Sequence, residues 1–224
     1  ADYDNDGRLD LMFASQGRGR LMHQLPNGSF ESITDEPFFS DFSTRVGVAW
    51  GDIDNDGDLD LLVANDRGEN EALYRNMGNG HFQREVGTPF QNSGGYSIGV
   101  LFLDADRDGN IDAFFTNGGG AANEAPSLFR GIGGGFFMRD LTDPIVTSAA
   151  SSFGVTPAAS DIDGDGATDL VTANIGPKNR LFHNDGFGGF AEVSSETFPP
   201  LAGARVANSA AFGDFDNDGD FDLY

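Results

Sequence analysis

The chain of 224 residues contains no cysteine, so disulfide bonds contribute nothing to its stability. It also lacks any apolar run near the roughly 18 residues that a membrane-spanning helix requires, and we expect no membrane insertion. Basic residues are scarce: 13 Lys and Arg stand against 36 Asp and Glu, which gives a formal net charge of −23. Such a surface repels nucleic-acid phosphates and anionic lipids, so neither is an expected partner.

Helical periodicity is absent as well, and 32 glycines would penalise helices by about 1 kcal/mol each relative to alanine. Only 3 histidines are present, and none has Ser, Asp or Glu at a spacing typical of a catalytic triad or a general acid/base pair. The sequence therefore predicts neither a helical protein nor an enzyme.

One motif, D-x-D-x-D-G-x-x-D, occurs five times, and we number these copies loops 1 to 5. Aspartates at motif positions 1, 3 and 5 can converge on one centre if the backbone coils tightly, and glycine at position 6 permits the turn, as in an EF-hand loop. Position 7 would contribute a backbone carbonyl, and the ninth-position aspartate would close the site. The predicted metal ligands, loop by loop, are Asp2, Asp4, Asp6, Arg8 and Asp10; Asp52, Asp54, Asp56, Asp58 and Asp60; Asp104, Asp106, Asp108, Asn110 and Asp112; Asp161, Asp163, Asp165, Ala167 and Asp169; and Asp214, Asp216, Asp218, Asp220 and Asp222.

Oxygen ligands in this number favour Ca²⁺ over Mg²⁺, which demands a tighter octahedron and retains more water. We therefore expect about five bound Ca²⁺ ions, which would bring the net charge to about −13. The alternative is a set of acidic, solvated turns that bind nothing specific. Five copies, each with the ninth-position aspartate, favour the metal sites.

The motif copies are spaced 50, 52, 57 and 53 residues apart, a period typical of a propeller or a solenoid. After each of the first four loops, a Leu precedes a Phe by nine residues, with Asn-Gly or Gly-Gly between them, as a tight hairpin requires. In the second unit we predict strands at residues 46–50, 61–64, 73–76 and 82–85. The prediction is an all-β propeller of four-stranded antiparallel blades with calcium loops.

The predicted organisation is a single repeat array over residues 1–224. Its units are approximately 1–44 (partial), 45–96, 97–152, 153–204 and 205–224 (partial), which hold 17 strands in all. Because the first unit lacks its opening strand and the last lacks its final two, we expect the array to belong to a larger propeller in a longer chain. The alternative is that open blade edges pair between molecules into a fibre.

The unit GVAWGDIDNDGDLDLLVAN, followed by LYRNMGNGHF, resembles the FG-GAP/VCBS repeats of integrin-α-like propellers, in particular secreted proteins similar to cartilage acidic protein. The resemblance covers essentially the whole chain. It implies a seven-bladed ring, with Ca²⁺ bound in the loop between the first and second strands of each blade. At the repeat position of the family's Phe-Gly pair, both residues are kept only as Phe153-Gly154.

Loops of the weak extracellular type bind Ca²⁺ at roughly 0.1 to 1 mM, so we expect a secreted or cell-surface protein. The predicted function is a binding, adhesion or assembly module for extracellular protein or glycan partners. Recognition is expected in the loops after each second strand, at residues 15–20, 65–71, 117–126 and 174–180. Alternatives are a lectin-like or lyase-like propeller, which the resemblance includes, and a structural fibre subunit.

Four basic residues share one repeat position, two residues after the marker Leu: His23, Arg75, Arg130 and His183. They could form a ring facing a central channel, or they could occupy a solvent-facing strand position, which is the favoured interpretation. Trp50 and Tyr74 are interpreted as packing residues, with sugar stacking as the alternative.

Overall fold

The computed structural model describes residues 1–15, 19–39, 45–92, 96–118, 125–147, 153–175, 179–193, 208–219 and 221–223. Within these ranges the regular structure is almost entirely β, with one three-stranded, three four-stranded and one two-stranded sheet. Every pairing is antiparallel, and each sheet consists of strands consecutive in the chain. The prediction of an all-β fold with four-stranded antiparallel sheets is confirmed. The unit boundaries, ring closure and blade number stay predictions.

The strands alternate with the acidic loops and the hairpins. Sheet 1 contains β1 (Leu11–Phe13), β2 (Arg20–Gln24) and β3 (Phe30–Ile33). Sheet 2 contains β4 (Arg45–Gly51), β5 (Asp60–Asn65), β6 (Ala72–Asn76) and β7 (Phe82–Arg84). Sheet 3 contains β8 (Ser97–Leu103), β9 (Asp112–Asn117), β10 (Ser127–Gly131) and β11 (Phe137–Asp140). Sheet 4 contains β12 (Phe153–Ser160), β13 (Asp169–Ile175), β14 (Arg180–Asn184) and β15 (Phe190–Glu192), and sheet 5 contains β16 (Phe212–Gly213) and β17 (Asp222–Leu223).

The core lies between successive sheets, in three apolar clusters. Along β5, Leu61 and Val63 face sheet 1, whereas Leu62 and Ala64 face sheet 3, as the two-residue period of a strand requires. A third cluster joins sheets 3 and 4. Each inner sheet is thus buried by its neighbours on both faces, which explains why the sequence is rich in phenylalanine.

Short helical segments follow the last strand of sheets 1 to 3, and the sequence analysis missed them. They are two 3-10 turns at Pro37–Phe39 and Pro89–Asn92 and a one-turn helix at Pro144–Thr147. Each begins with proline, which is preorganised for a first helical position. Each also buries one side chain between two sheets: Phe38, Phe90 and Ile145. None of the helical segments in the described ranges has the length and apolar composition needed to cross a bilayer.

The first strands of sheets 2, 3 and 4 approach one another closely at glycines. A Cβ atom at Gly47 would lie 2.8 Å from the Ile98 carbonyl oxygen. At Gly99 it would lie 2.8 Å from Thr116 Oγ1 and closer still to the Val155 carbonyl oxygen. The close approach explains why glycine occupies this repeat position in sheets 2 to 4 while the residue before it varies. Such contact between first strands is consistent with the innermost strands of propeller blades.

We predict that Gly99→Ala lowers the free energy of unfolding by about 1 to 3 kcal/mol, because the added methyl group must displace backbone and Pro157. Gly213→Ala is the matched control: Gly213 also lies in a first strand, but an added Cβ there meets no atom within 4 Å. Urea unfolding in calcium-containing buffer measures both variants. Equal effects at the two positions would contradict the proposed steric origin.

Candidate metal centre

The five acidic loops share one backbone conformation. Besides the glycine at position 6, the residue at position 4 adopts a positive φ, and the sequence analysis did not foresee this second left-handed residue. The position-4 residues are Asn5 (58°), Asn55 (61°), Arg107 (59°), Gly164 (75°) and Asn217 (60°). Asparagine tolerates this conformation better than most residues, which is a signal that the sequence did offer.

Backbone amides hold the first and ninth carboxylates of each loop in place. In loop 2, Asp52 Oδ2 accepts a hydrogen bond from the Gly57 amide at 2.9 Å, and Asp60 Oδ2 accepts one from the Ile53 amide at 3.1 Å. Asp60 Oδ1 accepts a further bond from the Asn76 amide in β6, at 2.8 Å. The same three bonds recur in loops 1, 3 and 4. The ninth aspartate therefore ties its loop to the third strand of the repeat unit, which is β2, β6, β10 or β14.

Carboxylates converge in these loops as the motif predicts. Oxygens of Asp2, Asp4 and Asp6 lie within 4.8 Å of one another, as do those of the sets Asp52, Asp54, Asp60 and Asp104, Asp106, Asp108. In each set one oxygen is buried without a hydrogen-bond partner: Asp4 Oδ1, Asp54 Oδ1 and Asp104 Oδ1. A buried oxygen without a donor is unfavourable, and a cation at the centre of the set would satisfy it. The residues therefore fit Ca²⁺.

Loops 4 and 5 show further parts of the same pattern. In loop 4, Asp163 and Asp169 group with His183. In loop 5, Asp214 Oδ2 accepts a bond from the Gly219 amide at 3.1 Å, but Asp220 lies outside the described residues. The ligand roles of all predicted residues, including the position-7 carbonyls of Arg8, Asp58, Asn110, Ala167 and Asp220, stay predictions.

The four basic residues at the shared repeat position contact the acidic loop of their own sheet. The solvent-facing interpretation was therefore wrong for His23, Arg75 and Arg130, whose side chains are largely buried, whereas the ring facing a central channel stays a prediction. Arg75 forms an ion pair with Asp54, and its Nε donates to Glu85 at 2.9 Å. Arg130 lies 3.4 Å from Asp112 and also contacts Asp143. His23 and His183 contact the carboxylates of loops 1 and 4 in the same way. Each of loops 1 to 4 therefore has a basic side chain from the third strand beside its carboxylates.

Burial changes the proton affinity of the ninth aspartates. Burial, with the nearby charge of Asp54, raises the pKa of Asp60 to about 6 despite its two backbone hydrogen bonds. Burial likewise raises the pKa of Asp112 to about 6, with Asp106 adding to the effect. The Tyr3 hydroxyl in loop 1 has a pKa raised to about 12 by burial and by Asp4. Without a metal ion, these carboxylates are therefore destabilised in their charged form.

The following sheet contacts loops 1 and 3. Asn76 Nδ2 at the end of β6 donates to the Tyr3 carbonyl of loop 1 at 2.7 Å, and Asn184 Nδ2 donates to the Ala105 carbonyl of loop 3 at 2.8 Å. The next hairpin also lies close, since a Cβ at Gly80 would be 2.8 Å from the Tyr3 ring. Neighbouring sheets are thus joined through the loops as well as through the core.

Together, the fold and the site define an all-β repeat protein whose sheets carry acidic, metal-type loops. A family model described as FG-GAP-like repeat matches residues 2–63, 54–115 and 161–224. The chain belongs to the FG-GAP-like repeat family, and the resemblance predicted from the sequence is confirmed.

Three relatives share the name cartilage acidic protein 1. The protein from Mus musculus is 24% identical over 179 residues, that from Xenopus tropicalis 26% over 175 residues, and that from Homo sapiens 24% over 179 residues. Each alignment covers 76% of this chain and 25 to 26% of the relative. The chain therefore spans about a quarter of the length of these relatives.

We predict opposite pH dependences with and without calcium. In the metal-free protein the pKa values of Asp60 and Asp112 are higher than in the unfolded chain, so the folded state binds more protons between about pH 4 and 6. Stability should therefore fall as the pH rises through this window. With saturating calcium, protons compete with the ion and stability should rise instead. Melting temperatures in ion-depleted and calcium-containing buffers test this, and slopes of equal sign would contradict it.

Proposed function

We propose that the chain is a calcium-stabilised extracellular repeat module that binds or assembles with protein or glycan partners. The observation that carries the proposal is the buried, unpartnered carboxylate oxygen in each of loops 1 to 3, at the point where a cation would lie. Calcium would thus be structural, and recognition would belong to surfaces that the stabilised sheets display.

Each acidic loop holds several negatively charged carboxylates close together. Carboxylates about 4 Å apart repel by roughly 4 kcal/mol per pair near a protein surface. A bound Ca²⁺ reverses the sign of this interaction. At ten times its dissociation constant, each ion adds about 1.4 kcal/mol to stability, so five sites give about 7 kcal/mol, comparable with the stability of a whole domain.

The ion would also stabilise contacts between sheets. The Tyr3 carbonyl lies in loop 1 and accepts a hydrogen bond from Asn76 of the next sheet, and the Ala105 carbonyl in loop 3 does the same for Asn184. Both residues also contribute their side chains to the apolar clusters between sheets. An ion that fixes the loop therefore fixes a hydrogen bond and a packing contact of the following sheet.

The extracellular assignment rests on the calcium-binding motif and on the relatives. Sites of this type suit millimolar calcium, which is found outside cells. The relatives are named for cartilage and for acidity, and this chain shares the acidity with its net charge of −23. Of the candidate recognition loops, only 65–71 lies wholly within the described residues.

We propose no catalytic role, because all three histidines lie beside carboxylates of the loops or of Glu36. His23 and His183 contact loop carboxylates, and His81 lies 2.9 Å from Glu36, whose second oxygen accepts the Phe82 amide. The structure also leaves neither Tyr74 nor Arg75 available for the sugar binding that the lectin-like alternative requires. Tyr74 is fully buried against Phe38, and Arg75 is paired with Asp54, so neither side chain offers a surface for a sugar.

We predict that calcium removal lowers the melting temperature by more than about ten degrees, given about 2 to 4 degrees per kcal/mol for a chain of this size. Metal counting after gel filtration should find about five Ca²⁺ per chain in the wild type. Asp104→Ala should lose one ion, because it removes a loop 3 carboxylate. The control is Asp35→Ala, which removes an exposed carboxylate outside the loops. An unchanged melting temperature, or equal ion counts in both variants, would contradict the structural role.

A second candidate function, self-assembly, is favoured by the outer face of sheet 1. Phe13 is 51% exposed, whereas Val63 at the same repeat position in sheet 2 is fully buried. Leu11 and Phe30 are likewise exposed, although their counterparts Leu61 and Phe82 lie in the core between sheets. This face has the composition of a sheet-to-sheet interface, and we propose a second copy of the chain as its occupant.

Phe13→Glu should then reduce self-association, because it places a charge in the proposed interface. Met77→Glu, at an exposed apolar residue in the hairpin of sheet 2, is the matched control. Sedimentation velocity over a concentration series measures the oligomeric state of both variants and the wild type. A wild-type chain that stays monomeric at millimolar concentration would overturn self-assembly through this face.

A further inference from the structure

Loops 1 and 4 differ from loops 2 and 3 in the chemistry of the basic residue beside them. In loop 1, His23 Nδ1 lies 3.2 Å from Asp4 Oδ2 and 3.3 Å from Asp10 Oδ1, and Nε2 lies 3.6 Å from Asp6 Oδ2. One ligand atom each from His23, Asp4 and Asp10 lies within 4.8 Å of the others. The cluster thus combines an imidazole nitrogen with carboxylate oxygens.

Two ligand atoms of this cluster are buried and have no hydrogen-bond partner: His23 Nδ1 and Asp4 Oδ1. Although Nδ1 lies near two carboxylates, neither contact has hydrogen-bond geometry. The Asp10 side chain is only 2% exposed, and the Tyr3 ring packs edge-on against the imidazole, with 6.2 Å between ring centroids. The ring is therefore held with an unpaired nitrogen facing the carboxylates, which is the arrangement of a metal ligand.

The arginines beside loops 2 and 3 cannot act as metal ligands. Arg75 and Arg130 place a guanidinium beside loops 2 and 3, and this group stays protonated and has no lone pair for a metal. A neutral histidine supplies one. Imidazole suits zinc and other borderline transition ions, whereas carboxylate and carbonyl oxygens alone suit calcium.

We propose that Asp4, Asp10 and His23 form a mixed nitrogen and oxygen site that takes a transition-metal dication, with Zn²⁺ as the probe, in preference to Ca²⁺. The inference deepens the proposed function and rests on the loops being metal sites. Binding requires neutral His23, whose proton, when present, leaves to solvent. Asp163, Asp169 and His183 form a more exposed second copy, in which Nδ1 lies 3.4 Å from Asp163 and 3.2 Å from Asp169.

The experiment titrates Zn²⁺ into the chain at saturating calcium and follows binding by calorimetry. The test variant is His23→Arg, which introduces the residue found at the same repeat position beside loops 2 and 3. The matched control is His81→Arg, because His81 lies in the hairpin of sheet 2, outside the five loops, and undergoes the same change of charge. Pulsed electron paramagnetic resonance of bound Cu²⁺ then reports whether an imidazole nitrogen is coordinated.

The wild type and His81→Arg should bind one more Zn²⁺ than His23→Arg, which keeps only the cluster of Asp163, Asp169 and His183. The copper spectrum of His23→Arg should also lose the imidazole nitrogen contributed by loop 1. Equal numbers of bound Zn²⁺ in all three proteins would overturn the proposal, as would displacement of zinc by millimolar calcium. Calcium-dependent stability without zinc binding would contradict only this inference. If the protein showed neither calcium-dependent stability nor zinc binding, the proposed function would be contradicted as well.

If His23→Arg fails to fold, Arg75→His provides the reciprocal test. It places an imidazole beside Asp54 and Asp60 of loop 2 and should add one zinc site to the wild-type number. An unchanged zinc count in folded Arg75→His would overturn the proposal from the other direction.

Discussion

The structure depends on carboxylates that the backbone forces together. In each loop, amides of the loop itself fix the first and ninth aspartates, and the third strand adds another bond to the ninth in loops 1 to 4. The backbone thereby concentrates negative charge at one end of every sheet, whether or not a cation is bound. Hydrogen bonds from amides offset part of the repulsion, but one buried oxygen in each of loops 1 to 3 has no hydrogen-bond partner, and a cation would satisfy it. The packing of consecutive sheets then follows, because the second residue of each of loops 1 to 3 enters the core between two sheets.

The third strand supplies a second source of positive charge. Arg75 and Arg130 bring a permanent cation to the rim of loops 2 and 3, whereas loops 1 and 4 receive histidine. Loops 1 to 4 look alike as motifs but are therefore electrostatically different, and the difference originates 13 to 21 residues away in the sequence, as in the pairs His23–Asp10 and Arg75–Asp54. The loop backbone is the same in each unit, whereas the basic side chain beside the loop is either arginine or histidine.

Much of the fold was predictable because its signals are local. The turn chemistry of the motif, the alternation of apolar residues and the glycine-containing hairpins predicted the strand positions, and each predicted strand of the second unit is present. The contact between the basic residues and the loops was not predictable in the same way. It depends on how β6 pairs with β5, where Leu61 lies opposite Tyr74, and on connections that differ in length between units. The burial of Tyr74 likewise depends on Phe38, which a 3-10 turn of another sheet delivers.

The contact between a loop and the following sheet gives the array a direction. Loops 1 and 3 each accept a hydrogen bond from the sheet that comes next in the chain, so a neighbour on the carboxyl-terminal side covers them. Separating sheet 1 from sheet 2, or sheet 3 from sheet 4, would break one of these hydrogen bonds. A cation held in loop 1 or loop 3 would therefore resist the separation of its own sheet from the sheet that follows.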